Sequence, residues 1–442
     1  MNILFTSLGC DKNLVDTEMM LGLLEKQGHT FTDDEEEAQA VIVNTCCFIG
    51  DAKEESINTL LEFAQRRKSG QIQALIACGC LAQRYHDEIQ KEIPEVDAIV
   101  GTNAINEIIE ALNGVLEGHA ANHLRSIDDT PISGLSQSVT TGGHFAYLKI
   151  AEGCDKHCTY CIIPKVRGKY RSIPMETLLA QAKDLADKGV KELILVAQET
   201  TLYGVDLYGK KSLPELLKNL AKVSGIYWIR ILYCYPEEIT DELIEVIATE
   251  PKVCHYLDIP IQHASDAVLK RMGRKTDQAS LRAVIGKLRE RIPDICLRTT
   301  LISGFPGETQ EDFEELYRFV NEMEFDRLGV FPYSQEEDTA AAVMEDQIED
   351  EVKNQRRDEL MELQQEIAFE KAQDMAGRIL VVMIEGKVAD EDTYVARTYR
   401  DAPNVDGYVF LNTTASLMTG DLVKVLVTDA NEYDLIGEIY HD

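Results

Sequence analysis

Positive charge is what this chain has least of: 44 Lys and Arg stand against 77 Asp and Glu over 442 residues, a formal net charge of −33. Proteins that grip nucleic acid draw affinity from neutralising phosphates and carry a basic footprint. No such excess exists here, so direct nucleic-acid binding is not expected. An acidic chain can instead steer a basic protein toward itself, and the runs at 33–37 and 345–351 read as solvated loop and helix faces. Also missing are an apolar run long enough to span a membrane and a basic segment leading into one. A cytoplasmic protein with no membrane partner is expected. There is no internal repeat or low-complexity tract. Cysteine, in contrast, is plentiful: 11 residues, an odd number with several in short-spaced clusters, fit thiolate ligands in a reducing compartment better than a disulfide framework.

A chain of 442 residues, 45% hydrophobic and 27% charged, folds as two to three domains. Residues 1–113 alternate short apolar runs with amphipathic stretches, which predicts an α/β domain with a parallel sheet. Its strand candidates, 2–6, 40–44 and 74–77, each run into a cysteine: Cys10, Cys46 and Cys80. Loops beyond the carboxyl ends of such strands converge, so these three could form one nest of thiolates. Cys47 and Cys78, each within two residues of a chosen ligand, are rivals that spacing does not exclude. Residues 114–143 turn polar and read as a linker. In the 144–375 segment, strand-like runs at 146–150, 192–197, 228–233, 255–259, 297–302 and 327–332 alternate with helices. That pattern predicts an incomplete (βα)6 TIM-like barrel with function at the carboxyl ends of its strands. A trailing helix within 342–375, striped with Leu360, Leu363, Ile367 and Phe369, is expected to pack on the barrel. Residues 376–442, with strand candidates at 379–384, 408–411, 422–428 and 434–438, predict a small closed β-barrel.

The most specific signal is Cys154, Cys158 and Cys161, a C-x3-C-x2-C spacing directly after the first barrel strand. Fully ligated [4Fe-4S] clusters use four cysteines, so three leave one iron open to a substrate or cofactor. Zinc would want a fourth protein ligand. His157 lies within the loop, but structural zinc sites assemble from two separated ligand pairs, and no second pair stands nearby.

With this triplet, the strand-end cysteines and a terminal β-barrel, the whole chain resembles the methylthiotransferases, a branch of the radical S-adenosylmethionine (SAM) superfamily. The runs SLGCDKN at 7–13, NTC at 44–46 and GC at 79–80 resemble the family's auxiliary-cluster motifs. That resemblance favours Cys46 over Cys47 and Cys80 over Cys78. The run ISGFPGET at 302–309 resembles the family barrel, and the terminal domain resembles its TRAM module. Of the family's two substrate classes, tRNA adenosines and an aspartate of a ribosomal protein, YCYP at 233–236, DIPIQHA at 258–264, VFPYS at 330–334 and DAPNVDG at 401–407 are similar to the second, the RimO type. Composition agrees independently: residues 376–442 hold five Lys and Arg against twelve Asp and Glu, a poor RNA grip and a good dock for a basic ribosomal protein.

The resemblance implies two [4Fe-4S] clusters, one on Cys154, Cys158 and Cys161 with SAM on the open iron, the other on Cys10, Cys46 and Cys80. A radical derived from SAM would take hydrogen from the β-carbon of an aspartate in small-subunit ribosomal protein twelve, and a methylated sulfur would join that carbon. A low-potential electron donor and a sulfur donor are implied as further partners. Tyr160 matches the family position lying against the adenine. Gln198 and Glu199 are placed like the polar residues that hold the methionine moiety, and Gln198 is carried as the cofactor contact, with a helix cap as its plainer reading. Gly304 would allow close backbone approach to SAM or simply form a tight turn. His263 reads as a substrate or cofactor contact or as a structural group. No catalytic acid or base can be named. The rival readings are a tRNA methylthiotransferase with the same clusters, an iron–sulfur carrier and a zinc-stabilised interaction protein.

Overall fold

The computed structural model describes residues 1–389 and 391–441. Five strands, β1 (Asn2–Ser7), β2 (Thr30–Thr32), β3 (Ala40–Thr45), β4 (Ala74–Cys78) and β5 (Ala98–Val100), form one parallel sheet in the order β2-β1-β3-β4-β5. The central β3 and β4 are buried along their whole length, as unbroken apolar strands covered on both faces must be. The edge strands β2 and β5 were not expected from the sequence, being three residues each and too short to show a period.

The second sheet carries function. β6 (Phe145–Lys149) leads into the two-residue β7 (Ala151–Glu152), which pairs with β8 (Arg171–Ser172). β9 (Glu192–Val196), β10 (Trp228–Ile231), β11 (Val253–Asp258), β12 (Cys296–Ser303) and β13 (Arg327–Pro332) follow. The parallel order β13-β12-β11-β10-β9-β6 is chain order, and the sheet stays open between β6 and β13. This is the incomplete barrel that the alternation predicted. β14 (Ile379–Lys387), β15 (Thr393–Thr398), β16 (Val409–Asn412), β17 (Leu422–Asn431) and β18 (Asp434–Ile439) close into a small barrel in the order β14-β15-β16-β18-β17. Here β15 was missed. Asp390 and Asp442, within the expected 376–442 range, lie outside the described residues.

Charged groups fasten the small barrel under the large one. Glu192, the first residue of β9, accepts from Arg230 at 2.7 Å and from Arg397 of β15 at 2.8 Å, all three fully buried. Arg397 also pairs with Glu385, which reaches His144 at 2.9 Å. Because Glu192 opens its strand, this contact lies at the amino-terminal end of the half-barrel and leaves the carboxyl end to the cysteine loops. The helix Asp350–Gln373 buries Leu360, Leu363 and Ile367 in the large barrel's core. Phe369, the fourth residue of the expected stripe, turns instead to Tyr433 of the small barrel, ring centroids 5.3 Å apart.

The polar 114–143 stretch is strapped to the helix Asp11–Lys26. Glu18 of that helix accepts from Gln137 Nε2 at 3.0 Å and from the Thr140 backbone N–H at 2.8 Å. One turn on, Gly22 leaves room for the strap: a Cβ there would stand 2.2 Å from the Ser136 carbonyl oxygen. Alanine normally favours a helix over glycine by about 1 kcal/mol. At this position the collision reverses the sign, and Gly22→Ala is expected to lower stability by roughly 1–3 kcal/mol, read as an earlier urea midpoint at unchanged slope.

Candidate active site

At the end of the first sheet, three loops bring Cys10, Cys46 and Cys80 together. Cys10 caps the helix Asp11–Lys26, Cys46 follows β3, and Cys80 lies in the first turn of the helix Gly79–Arg84. Two glycines with positive φ permit the convergence. A Cβ on Gly9 (φ +89°) would lie 2.8 Å from Cys46 Sγ, and one on Gly79 (φ +87°) 2.5 Å from the Thr45 carbonyl. Burial raises the Cys46 thiol pKa, and neighbouring Cys10 raises it further. Burial also raises Cys80, Arg167 opposes it, and Cys47, Cys10 and Cys46 add to the rise. The rivals sit differently. Cys78 points into the apolar core with its Sγ 3.5 Å from the Val43 carbonyl. Cys47, pushed up to about 11 by burial, has Arg84 as its chief charged neighbour.

The second nest hangs on the loop after β7. Gly153 opens it, and Cys154 N–H donates to the Gly168 carbonyl at 3.1 Å, closing residues 154–168 into a ring. Cys154 Sγ accepts from the Lys156 backbone N–H at 3.4 Å, and Cys158 Sγ lies 3.6 Å from the Tyr235 hydroxyl. Burial pushes Cys154 and Cys161 up to about 12, with the neighbouring thiols of the triplet adding to the rise. Thiols whose ionisation is so penalised are poor thiolates alone, and a cationic group bound among them removes the penalty.

The nests are two ends of one buried polar network. Arg167, at the close of the triplet's loop, donates from Nε to Cys80 Sγ at 3.3 Å. Its Nη1 pairs with Asp16 at 2.8 Å and Glu152 at 3.1 Å, and its Nη2 donates to Asn13 Oδ1. Lys149 of β6 bridges the same two carboxylates. Burial would raise the Glu152 pKa, yet Arg167 and Lys149 hold it down at about 2. The loop after β10 also spans both nests. Tyr235 touches Cys158, while Tyr233, at φ +61° with its N–H held by Asp258 at 3.0 Å, reaches Asp11 beside Cys10.

A tetrahedral zinc ion in a structural site wants four protein ligands, and each nest brings three cysteines. His157 is exposed. The compact metal-sized group among the described residues is Glu107, Glu110 and His123, remote in sequence from the triplet and already engaged, since Glu107 pairs with His123 and Arg125.

The other singled-out residues fare unevenly. Tyr160 packs edge-on against Phe305, centroids 6.3 Å apart, at the triplet's side. Gln198 donates to Glu152 at 3.0 Å, leaving its own Oε1 without a partner. Its neighbour Glu199 is fully buried, and its Oε2 is likewise without a partner. Gly304 has a packing reason, because at φ +68° a Cβ would lie 2.2 Å from Lys353 Cγ. His263 is fully buried, accepting from the Ser265 N–H at 3.0 Å beside Glu308, with its Nε2 left without a hydrogen-bond partner. Sequence reasoning missed Arg167 and Arg274. Arg274 stacks on Tyr235 at 4.3 Å with Nε and Nη1 unpartnered; neither arginine lies within a motif that spacing could flag.

Burial raises the Glu199 pKa to about 7 from an ordinary 4.5. The folded chain therefore holds an extra proton between those values, and stability falls as pH rises from 4.5 to 7. In cluster-free protein, Glu199→Gln is expected to match wild type near pH 4.5 and to exceed its stability at pH 8 by up to roughly 3 kcal/mol, measured by urea unfolding at both pH values.

A half-open parallel barrel with three thiols on the loop after its first strand is the build of a radical SAM enzyme. Three family models match the chain: uncharacterized protein family UPF0004 over residues 2–101, the radical SAM superfamily over 148–320 and the TRAM domain over 376–439. The ribosomal protein uS12 methylthiotransferase RimO of Lachnoclostridium phytofermentans is 61% identical over 99% of both chains. The protein of that name from Clostridioides difficile is 49% identical over 100% of this chain and 99% of its own. Among solved structures, the radical SAM methyltransferase TsrM from Kitasatospora setae aligns with 88% of this chain and 79% of its own at TM-score 0.53 and 13% identity, a likeness of fold alone. The chain belongs to the RimO family of radical SAM methylthiotransferases, enzymes that work with SAM and a [4Fe-4S] cluster. No helix among the described residues is long and apolar enough to cross a membrane.

Proposed function

We propose that this protein methylthiolates the β-carbon of an aspartate in ribosomal protein uS12, using two [4Fe-4S] clusters, one on Cys154, Cys158 and Cys161 and the other on Cys10, Cys46 and Cys80. The observation that carries this reading is 61% identity across 99% of a chain named for that activity. Bound at these nests, SAM and the clusters supply a radical able to take hydrogen from unactivated carbon and an iron site for the incoming sulfur. The chain's own residues bind, orient and exclude water. Glu199 Oε2, Gln198 Oε1 and the free edge of Arg274 are buried polar atoms without partners, suited to the amino and carboxylate groups of SAM. Tyr160, Phe305 and Tyr333 form an edge-on aromatic wall that keeps a reactive intermediate from water.

Charge supports a basic protein substrate. Of the five cations in residues 376–442, Arg397 and Arg400 are spent on Glu192, Glu385 and Asp326, while Glu391, Asp392, Asp429, Glu432 and Glu438 face solvent. Arg378, Lys387 and Lys424 are exposed as well, so the surface left to a partner keeps an acidic balance. A low-potential electron donor and a sulfur donor complete the reaction as separate partners. The test offers purified uS12 and unmodified tRNA separately to reconstituted enzyme with SAM, reductant and sulfide. A methylthio mass gain on a uS12 aspartate supports the reading, and a gain on tRNA alone overturns it.

A further inference from the structure

Each nest has hydrogen-bond donors on its sulfurs, but of unequal kind. In the triplet they are neutral: the Lys156 backbone N–H on Cys154 and the Tyr235 hydroxyl beside Cys158. Cys80 instead faces a guanidinium, Arg167 Nε, at 3.3 Å, on a side chain that is 1% exposed. A charged donor to a buried sulfur stabilises the more negative state of a cluster, and hydrogen bonds to sulfur, net charge and exposure are what set cluster potentials. The guanidinium has no freedom to leave. Asp16, Glu152 and Asn13 hold its other nitrogens, and its backbone is fixed next door, where a Cβ on Gly168 (φ +74°) would lie 2.4 Å from the Ile127 carbonyl. Arg167 also stands six residues beyond Cys161, at the point where the triplet's ring closes on Cys154 N–H.

We propose that Arg167 is a positioning residue of the auxiliary nest: its guanidinium, hydrogen-bonded to the Cys80 sulfur, makes the cluster bound there easier to reduce. The inference rests on Cys10, Cys46 and Cys80 being cluster ligands. Lysine cannot replace the fork, since one ammonium cannot serve Asp16, Glu152, Asn13 and Cys80 in the plane that guanidinium offers.

The test uses full-length protein carrying Cys154→Ala, Cys158→Ala and Cys161→Ala, so that only the auxiliary cluster assembles. Iron content is measured first, then the midpoint of one-electron reduction by dithionite, followed by electron paramagnetic resonance. Arg167→Gln and Arg167→Lys are each expected to disfavour reduction by about tenfold in the equilibrium constant, a midpoint more negative by about 59 mV. Arg167→Lys keeps a cation against the two buried carboxylates and so guards against loss of the fold, checked by circular dichroism. An unchanged midpoint in variants holding about four irons overturns the proposal, as does loss of iron from both variants while they stay folded, which would make Arg167 an assembly residue. A parent protein that binds no iron refutes the ligand reading itself, a separate outcome seen before any Arg167 variant is compared.

Discussion

Cys80→Ala is expected to drop the reconstituted enzyme from about eight irons per chain to about four, while Cys78→Ala leaves about eight. The two cysteines are separated by one glycine, yet the turn at Gly79 sends their side chains to opposite faces. Cys78 ends β4 with its sulfur against the Val43 carbonyl in the sheet's apolar core. Cys80 enters the following helix with its sulfur on Arg167, among the thiols of Cys47, Cys10 and Cys46. Cys46→Ala and Cys47→Ala should divide in the same way, because Cys46 lies beside Cys10 and Arg167 whereas Cys47 has Arg84 and Glu336 as its charged neighbours. Iron and sulfide analysis of the four single variants checks all of this together. Retention of about eight irons by Cys80→Ala would show the nest to be misdrawn.

Cys158→Ala is expected to abolish reductive cleavage of SAM, bringing 5′-deoxyadenosine down to the enzyme-free background, while the auxiliary cluster of about four irons remains. The two nests belong to different sheets and are built by different loops, so loss of one leaves the other's backbone intact. What they share is the buried quartet of Lys149, Arg167, Asp16 and Glu152. No cysteine contributes charge to its balance of two cations and two carboxylates, so removing one thiol does not strand a buried charge. Chromatography of the SAM products, with iron analysis of the same sample, reads both halves of the prediction. Continued cleavage by Cys158→Ala would remove the triplet from the chemistry.

What was legible in the sequence was whatever repeats along the chain or is named by a spacing. The six strands of the half-barrel and the central strands of the first sheet declare themselves as apolar runs, and C-x3-C-x2-C declares a three-thiolate site. Strands of three residues, such as Thr30–Thr32 and Ala98–Val100, carry no period to read. Contacts across long separations were equally silent. Gly22 looks like a flaw in a helix until Ser136 passes over it, and Glu18 looks like a surface charge until Gln137 and Thr140 cover it. Arg167 gave no signal because its partners, Asn13, Asp16 and Cys80, lie more than eighty residues away in the chain. Gln198 was the choice from sequence over Glu199, and the fold leaves both with a buried oxygen lacking a partner, Oε1 and Oε2, which no spacing shows.

The most direct measurement follows deuterium. Ribosomal protein uS12 carrying aspartate fully deuterated at its β-carbon would be turned over by the reconstituted enzyme, and the recovered 5′-deoxyadenosine and protein weighed. The account predicts one deuterium gained by 5′-deoxyadenosine for each methylthio group gained by the protein, and one lost from that aspartate. A methylthio product that keeps both deuterons, or 5′-deoxyadenosine free of the label, would contradict it.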